Sequence, residues 1–214
     1  MEKHNMETKD ILEYSLLHAN VTKKEIESHC KEAKENSVYA VCIPPYHVAT
    51  AKDVLEDSKV KIVTVCGFPL GYGHTAGKVE DVKKSLSSGA DEIDLVLNFA
   101  AVKSEDWKTV KNDVSSIATL CQMQDKACKV ILEVSLLSEK EILQVIKICE
   151  ECEVNYLKTG TGMLGTDVNT EEVAFLHKHS KLKIKASGGI KSKVRIKQLV
   201  EAGANVIGSS KLIK

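Results

Sequence analysis

The feature that most constrains the fold of this chain is a regular alternation of short apolar runs with helical patterns. The runs are rich in Val, Ile and Leu and end at glycine, proline or polar clusters, which is typical of buried strands. Alternation of this kind predicts a parallel sheet. We predict eight strands, at residues 9–18, 38–43, 60–65, 91–97, 129–134, 154–158, 182–186 and 205–208.

Eight units of about 25 residues favour an α/β fold, a closed (β/α)8 TIM barrel, as a single domain over residues 1–214. An open doubly wound sheet is the alternative, but no GxGxxG motif follows the first strand. Only residues 209–214 remain for an eighth helix, so we expect a shortened C-terminal end that the N-terminal segment or a neighbouring subunit covers. The predicted helices are 22–36, 47–57, 79–88, 106–124, 138–152, 169–178 and 192–202.

Composition narrows the class of protein. The chain has 30 Lys+Arg against 30 Asp+Glu and 4% aromatic residues, which argues against a nucleic-acid partner. No apolar run approaches the ~18 residues of a membrane span, and the polar N-terminus MEKHNMETKD has no signal core. The seven irregularly spaced cysteines agree with a soluble, cytoplasmic protein. The pair Cys149 and Cys152 falls late in a helical pattern, and we expect it to be structural.

The stretch VNYLKTGTG, residues 154–162, carries the candidate chemistry. Lys158 ends its apolar run, where a charged amine is costly unless it is paired or deprotonated. A second lysine, Lys185, ends a short apolar run 27 positions later and is followed closely by Gly188 and Gly189. Because one βα unit spans about 30 residues, the two lysines can lie at matching heights on neighbouring strands. We assign Lys183, deeper on the same strand, to the other end of the barrel or to its surface.

Two lysines on adjacent strands, which lie about 4.8 Å apart, suggest Schiff-base chemistry. Their ammonium groups repel each other, which favours loss of one proton, and a neutral amine attacks a carbonyl carbon. The protonated imine then lets a neighbouring C–C bond break or form. Asp94, two strands before Lys158, can shuttle the proton, and Glu133 is a second carboxylate. The alternative is a pair of rim ion pairs, Lys158–Glu133 and Lys185–Asp94.

Two loops predict an anion site at the C-terminal rim of the barrel. Gly188-Gly189-Ile190 follows the seventh strand and Gly208-Ser209-Ser210 follows the eighth, the usual phosphate position of this fold. Cys42 either lines the pocket floor or is a small core residue, and the second interpretation is the simpler one. No histidine cluster has metal-ligand spacing, so we expect a metal-free mechanism.

These motifs resemble those of the deoxyribose-phosphate aldolases, a family of Schiff-base (class I) aldolases built on a (β/α)8 barrel. The resemblance covers nearly the whole chain. It implies reversible cleavage of 2-deoxy-D-ribose 5-phosphate to D-glyceraldehyde 3-phosphate and acetaldehyde, in deoxyribonucleotide catabolism, without a cofactor. The motifs that carry it are VCIPP (41–45), TVCGFPLG (64–71), GADEIDLV (89–96), YLKTGTG (156–162) and IKASGGI (184–190).

The resemblance also implies roles for individual residues. Lys158 looks like the Schiff-base lysine, Lys185 like the second lysine that lowers its pKa or donates a proton, and Asp94 like the acid/base that works through water. Three positions depart from the usual family pattern: Glu13 in the first strand, Gly160 in place of a serine and Lys211 in place of a second serine. The implied substrate and phosphate contacts are Glu13, Cys42, Thr161, Gly162, Gly188, Gly189, Gly208 and Ser210.

Two other functions stay open from the sequence. A phosphosugar isomerase or epimerase on the same barrel would need paired carboxylates or a metal at the mouth. A non-catalytic descendant would bind a phosphosugar without turnover, which the shortened end and the altered first strand allow. In each case we expect a small phosphosugar ligand, no membrane or nucleic-acid partner, and a possible homodimer.

Overall fold

A computed structural model describes residues 7–164 and 167–212. The predictions made for the first six residues and for the last two lie outside these ranges. Among the described helices, none has both the length and the apolar character that crossing a bilayer requires.

Eight parallel strands close into a barrel in chain order, which confirms the predicted (β/α)8 fold. Closure is made by the first and last strands, where Glu13 is paired with Gly208. The strands are short and almost wholly buried, as expected for a parallel sheet that is covered by helices. They are β1 Leu12–Ser15, β2 Ala40–Ile43, β3 Lys61–Cys66, β4 Glu92–Val96, β5 Ala127–Ile131, β6 Tyr156–Lys158, β7 Lys183–Ser187 and β8 Val206–Ser209.

The helices lie between the strands, and local capping residues fix where several of them begin. Thr22 and Ser138 both form the predicted capping boxes, with Glu25 and Glu141 respectively. After β8 the described chain continues to residue 212 without a helix. The helices are α1 Lys23–Glu35, α2 Val48–Leu55, α3 Thr75–Ser87, α4 Phe99–Lys103, α5 Trp107–Gln122, α6 Glu139–Glu151, α7 Thr170–His179 and α8 Lys193–Glu201.

Several local boundaries differ from the sequence prediction. The first strand is shorter than the predicted 9–18, because residues Thr8–Ile11 form a 3-10 helix and β1 covers only Leu12–Ser15. Helix α3 begins at Thr75, four residues before the predicted start, and the residue at its N-cap position, His74, makes no side-chain capping hydrogen bond. The short helix α4 was not predicted; Asn98 caps it by accepting a hydrogen bond from the Ala101 amide. Strand β5 ends at Ile131 rather than at residue 134. Glu133 has a φ of 39°, in the left-handed region, and this conformation cannot continue a strand.

The main hydrophobic core lies between the barrel and its helices. The seven cysteines all carry free thiols, and Cys149 is buried within α6 while Cys152 follows its last turn. This placement agrees with the structural interpretation of the pair. The barrel interior is different, because it holds charged side chains, and these define the candidate site.

Candidate active site

The two lysines singled out by the sequence are paired across neighbouring strands. Lys158 ends β6, and its Cα partner in the register with β7 is Lys185. The prediction of matching heights is therefore confirmed. Both side chains point into the barrel, where their exposed fractions are only 3% and 1%. Groups this deeply buried carry charge only if opposite charges surround them.

Asp94 supplies that opposite charge at the centre of the barrel. Its Oδ2 accepts hydrogen bonds from Lys158 Nζ at 2.8 Å and from Lys185 Nζ at 2.5 Å. Strand β4 therefore brings the predicted acid/base residue into contact with both predicted lysines. A carboxylate oxygen shared by two ammonium groups offsets their mutual repulsion, so the two lysines do not act on each other by repulsion alone.

A third buried lysine completes the site. Lys129 on β5 is fully buried, and its Nζ donates to Asp94 Oδ1 at 2.9 Å. It also lies 2.6 Å from Glu92 Oε2 and 3.5 Å from Glu13 Oε2. Glu13 in turn accepts from Lys185. Three ammonium groups thus face three carboxylates in what we call the lysine–carboxylate cluster: Glu13, Glu92, Asp94, Lys129, Lys158 and Lys185.

For several members of the cluster, the neighbouring opposite charges affect the pKa more than burial does. Burial alone would raise the pKa of Asp94, but Lys129, Lys158 and Lys185 together hold that pKa well below its usual range. Burial likewise opposes the charge on Glu92, yet Lys129 and Lys61 lower the pKa of Glu92 to about 2. Burial would lower the pKa of Lys185, whereas Asp94 and Glu13 raise it. Lys185 is therefore held as an ammonium group beside Lys158.

Of the two rim ion pairs predicted as the alternative, the described chain forms one, between Lys185 and Asp94. Lys185 does contact Asp94, but deep inside the barrel rather than at its rim. Glu133 does not pair with Lys158 in the described part of the chain. Its carboxylate instead accepts the amide of Thr161 at 3.0 Å and the hydroxyl of Thr161 at 2.5 Å. Glu133 therefore holds the loop that follows Lys158.

A cavity of about 200 Å³ opens above Lys158 at the C-terminal ends of the strands. The two predicted anion loops meet there. Of the predicted contacts, Thr161, Gly162, Gly188, Gly189, Gly208 and Ser210 line its wall. The Thr161 hydroxyl is already engaged, because it donates to Glu133 and accepts the Met163 amide at 3.0 Å. Thr161 therefore shapes the cavity wall but does not offer a free hydroxyl group to a ligand.

Two of these glycines leave no room for a side chain. A Cβ on Gly208 would overlap Ser187 Oγ and would lie 3.2 Å from Lys185 Cε. Gly189 has a φ of 67°, and a Cβ there would overlap the carboxyl group of Asp167. Bare backbone at these positions lets the two loops approach each other and the end of Lys185.

The structure places Cys42 and Glu13 below the cavity rather than on its wall. Cys42 is fully buried with Ala40, Val63 and Val65, and burial raises the pKa of its thiol to about 12. Direct substrate contact by Cys42 or Glu13 stays a prediction. Ligand atoms of Glu13, Cys42 and Asp94 lie within 4.8 Å of one another. Lysine ammonium groups already occupy both carboxylates, so this donor set suits internal cations better than a metal ion.

Sequence reasoning missed several site residues. Lys129 lies in an apolar run, as Lys158 and Lys185 do, and that shared pattern was the signal that could have found it. Glu92 lies two positions before Asp94 and so on the same face of its strand, and that spacing was the signal that could have found it. Cavity-lining residues that no motif indicated are Ser15, Leu17, His18, Met163 and Lys191.

A buried lysine that reaches a cavity at the C-terminal end of a (β/α)8 barrel, beside two glycine loops, suits an enzyme that forms a covalent intermediate at carbonyl carbon. A family model described as DeoC/LacD family aldolase matches residues 6–210. The chain therefore belongs to the DeoC/LacD family of aldolases.

Individual relatives agree with this family. The chain is 38% identical over 197 residues to the deoxyribose-phosphate aldolase of Thermococcus kodakarensis, covering 90% of this chain and 88% of the relative. It is 37% identical over 214 residues to the deoxyribose-phosphate aldolase of Clostridioides difficile, covering 99% and 95%. The solved tetrameric deoxyribose phosphate aldolase of Aeropyrum pernix superposes with a TM-score of 0.89 at 27% identity, over 95% of this chain and 86% of that one.

Proposed function

We propose that this aldolase reversibly cleaves 2-deoxy-D-ribose 5-phosphate to D-glyceraldehyde 3-phosphate and acetaldehyde, with Lys158 forming the Schiff base. One observation carries the choice of lysine. Of the three clustered lysines in the described chain, Lys158 lines the cavity, whereas Lys129 and Lys185 do not. Only a lysine that reaches the cavity can meet a carbonyl carbon, and Asp94 lies 2.8 Å from its Nζ.

The reaction follows from this geometry. The neutral Lys158 amine attacks C1 of the open-chain sugar, and the carbinolamine loses water to give an imine. The C3 hydroxyl then loses its proton, the C2–C3 bond breaks, and its electrons pass into the protonated imine to give an enamine. Protonation at C2 and hydrolysis of the imine release acetaldehyde and restore the lysine. Asp94, acting through water, exchanges these protons, while Lys185 stays an ammonium that stabilises negative charge nearby.

The phosphate group is assigned to the rim formed by Gly188, Gly189, Gly208 and Ser210. These residues line the cavity beside Lys158, and backbone N–H groups of glycine loops bind phosphate oxygens in many proteins. The cavity is small, so one phosphosugar would fill it.

The two other functions gain no support. An isomerase or epimerase needs carboxylates that are free to take protons from carbon. No carboxylate of the described chain lines the cavity at Lys158, so none can take a proton directly from a substrate carbon there. A binding-only protein would have no use for a buried lysine whose amine reaches the cavity, because burying it is costly.

Borohydride trapping with acetaldehyde tests the proposed function. The reduced adduct is located by intact mass and a peptide map. We expect one two-carbon adduct on Lys158. An adduct on Lys185 would keep the reaction class and exchange the two roles, whereas no adduct on a folded protein would refute the Schiff-base function.

We also propose that the enzyme is cytoplasmic and forms a homodimer. Free thiols on all seven cysteines suit a reducing compartment. The Aeropyrum pernix relative is described as tetrameric, which supports self-association in general. Light scattering after size-exclusion chromatography decides the assembly: twice the mass of one chain supports the dimer, and the mass of one chain rules it out.

A further inference from the structure

The lysine–carboxylate cluster continues below Asp94 to the opposite end of the barrel. Glu92 is 1% exposed, and its two carboxylate oxygens face different neighbours. Oε2 lies 2.6 Å from Lys129 Nζ inside the barrel. Oε1 accepts the hydroxyl of Tyr39 at 2.5 Å and the ammonium of Lys61 at 2.8 Å.

These contacts form one continuous series of charges. It runs from Lys61 through Glu92, Lys129 and Asp94 to Lys158, with each neighbouring pair 2.6 to 2.9 Å apart. The lower end reaches water, because the Lys61 side chain is 46% exposed. Lys61 and Tyr39 line a separate cavity of about 490 Å³, which shares none of the residues that line the cavity at Lys158.

We propose that Glu92 is a positioning residue for the aldol reaction and acts on Lys158 through Lys129 and Asp94. The proposal rests on the proposed function. Glu92 holds the Lys129 ammonium away from complete pairing with Asp94. This leaves Asp94 Oδ2 free to bridge Lys158 and Lys185. Without the Glu92 charge, Lys129 has only Asp94 and Glu13 as partners, and the cluster gains one net positive charge.

The groups that face Glu92 come from three neighbouring elements. They are Tyr39 from the segment before β2, Lys61 from β3 and Lys129 from β5. On β6, the Tyr156 ring lies 5.8 Å from Lys129 Nζ. On β7, Lys183 Nζ lies 5.5 Å from the centroid of the same ring, and Lys183 makes no ion pair with Glu92 in the described chain. Lys183 is therefore a suitable control cation at the same end of the barrel.

A purely structural role for Glu92 would change stability but not the pH dependence of turnover. A positioning role changes both, and charge gives the sign. An extra positive charge favours loss of a proton from the clustered ammonium groups, so their titration moves to lower pH. Removal of the Lys61 cation should move the titration of the clustered ammonium groups to higher pH. Its effect is weaker because Lys61 is partly screened by solvent.

The experiment compares Glu92→Gln, Lys61→Met and Lys183→Met with the wild-type enzyme. The pH profile of kcat/KM is measured, together with the separate kcat and KM values and the yield of borohydride adduct on Lys158 at each pH. For Glu92→Gln we expect kcat to fall about ten- to a hundredfold with little change in KM, because Glu92 does not line the substrate cavity. Its acidic limb should move to lower pH. Lys61→Met should move that limb to higher pH, and Lys183→Met should leave it in place.

The outcomes separate this inference from the proposed function. A wild-type enzyme that forms no adduct refutes the Schiff-base function itself. A wild-type enzyme that forms the adduct, with a folded Glu92→Gln variant whose profile coincides with it, overturns only the role of Glu92. If Glu92→Gln does not fold, Lys61→Met decides: a shift to higher pH supports the proposal, and coincidence with Lys183→Met overturns it.

Discussion

Lys158 and Lys185 are Cα partners across β6 and β7, and their ammonium groups donate to the same oxygen, Oδ2 of Asp94. The two lysines are therefore coupled through one carboxylate rather than through direct repulsion alone. Any change to that oxygen therefore affects both lysines at once.

Lys158→Met should abolish cleavage of 2-deoxy-D-ribose 5-phosphate and should abolish the borohydride adduct. Methionine fills a similar volume but has no amine to form an imine. Turnover is measured by coupled detection of glyceraldehyde 3-phosphate, and folding by circular dichroism. Lys197→Met, on exposed α8, is the control and should keep full activity. Measurable turnover by a pure Lys158→Met sample would remove Lys158 from the mechanism.

Asp94→Asn should lower kcat by about 10²- to 10⁴-fold, because an amide cannot exchange the proton. It should also destabilise the protein by about 3 to 5 kcal/mol, since it leaves buried lysines short of a counter-charge. Asp94 is fully buried, so no solvent replaces the lost charge. Steady-state kinetics and urea unfolding give the two numbers. Near-normal kcat in the folded variant would assign the proton exchange to another group.

Stability should depend on pH in a direction fixed by Glu92. Its pKa of about 2 in the folded protein lies below the ordinary value of 4.5, so its contribution is full above pH 4.5 and is lost as pH falls toward 2. The lost free energy of unfolding is about 3 kcal/mol. Urea unfolding of wild type and Glu92→Gln between pH 6 and pH 2.5 should show a steeper loss in the wild type. Parallel curves would contradict the assignment.

At alkaline pH the free energy of unfolding should change in the opposite direction and fall as pH rises. The pKa of Lys185 is raised in the folded protein, so its contribution is full below the ordinary lysine value, near 10.4, and is lost as pH rises through the folded value. Unfolding measured between pH 8 and pH 11 should show stability that is flat at first and declines at the alkaline end. A decline that begins near neutral pH would mean that Lys185 is not held as an ammonium.

Gly208→Ala should lower kcat/KM by about tenfold or more, because the new methyl group displaces Ser187 and the end of Lys185. Gly77→Ala is the matched control. Gly77 lies in α3, and apart from its chain neighbours and the adjoining helix backbone no atom of the described chain lies within 4 Å of a Cβ placed there. This variant should keep full activity and gain about 0.5 to 1 kcal/mol of stability. Equal activity of the two variants would show that the space around Gly208 is not needed.

The parts of the site that could be predicted from the sequence are those with a local signal. The spacing of Lys158 and Lys185 is close to the length of one βα unit. That spacing predicted that the two lysines lie at the same height on neighbouring strands. Asp94 followed because it lies on the predicted fourth strand, two strands before Lys158. The (β/α)8 fold followed from the count of alternating runs.

The rest depends on barrel closure, which has no local signal. Glu13 reaches Lys185 only because β1 pairs with β8. Lys129 is the first residue of the predicted fifth strand. Its position beside Asp94 inside the barrel was not evident before the register of β4 with β5 was known. Glu133 looked like a counter-charge for Lys158, but its left-handed backbone turns it toward Thr161. A reversed φ at a residue other than glycine is not predictable from the residue type.

The contact between Glu13 and Lys185 joins residues 172 positions apart. During synthesis, Glu13 leaves the ribosome 172 residues before Lys185 does. A buried carboxylate short of a cation is costly, and a partial chain that lacks Lys185 offers Glu13 only the more distant Lys129, at 3.5 Å. Such a chain therefore favours a hydrated Glu13, and the barrel interior closes only after β7 has brought Lys185 and β8 has paired with β1.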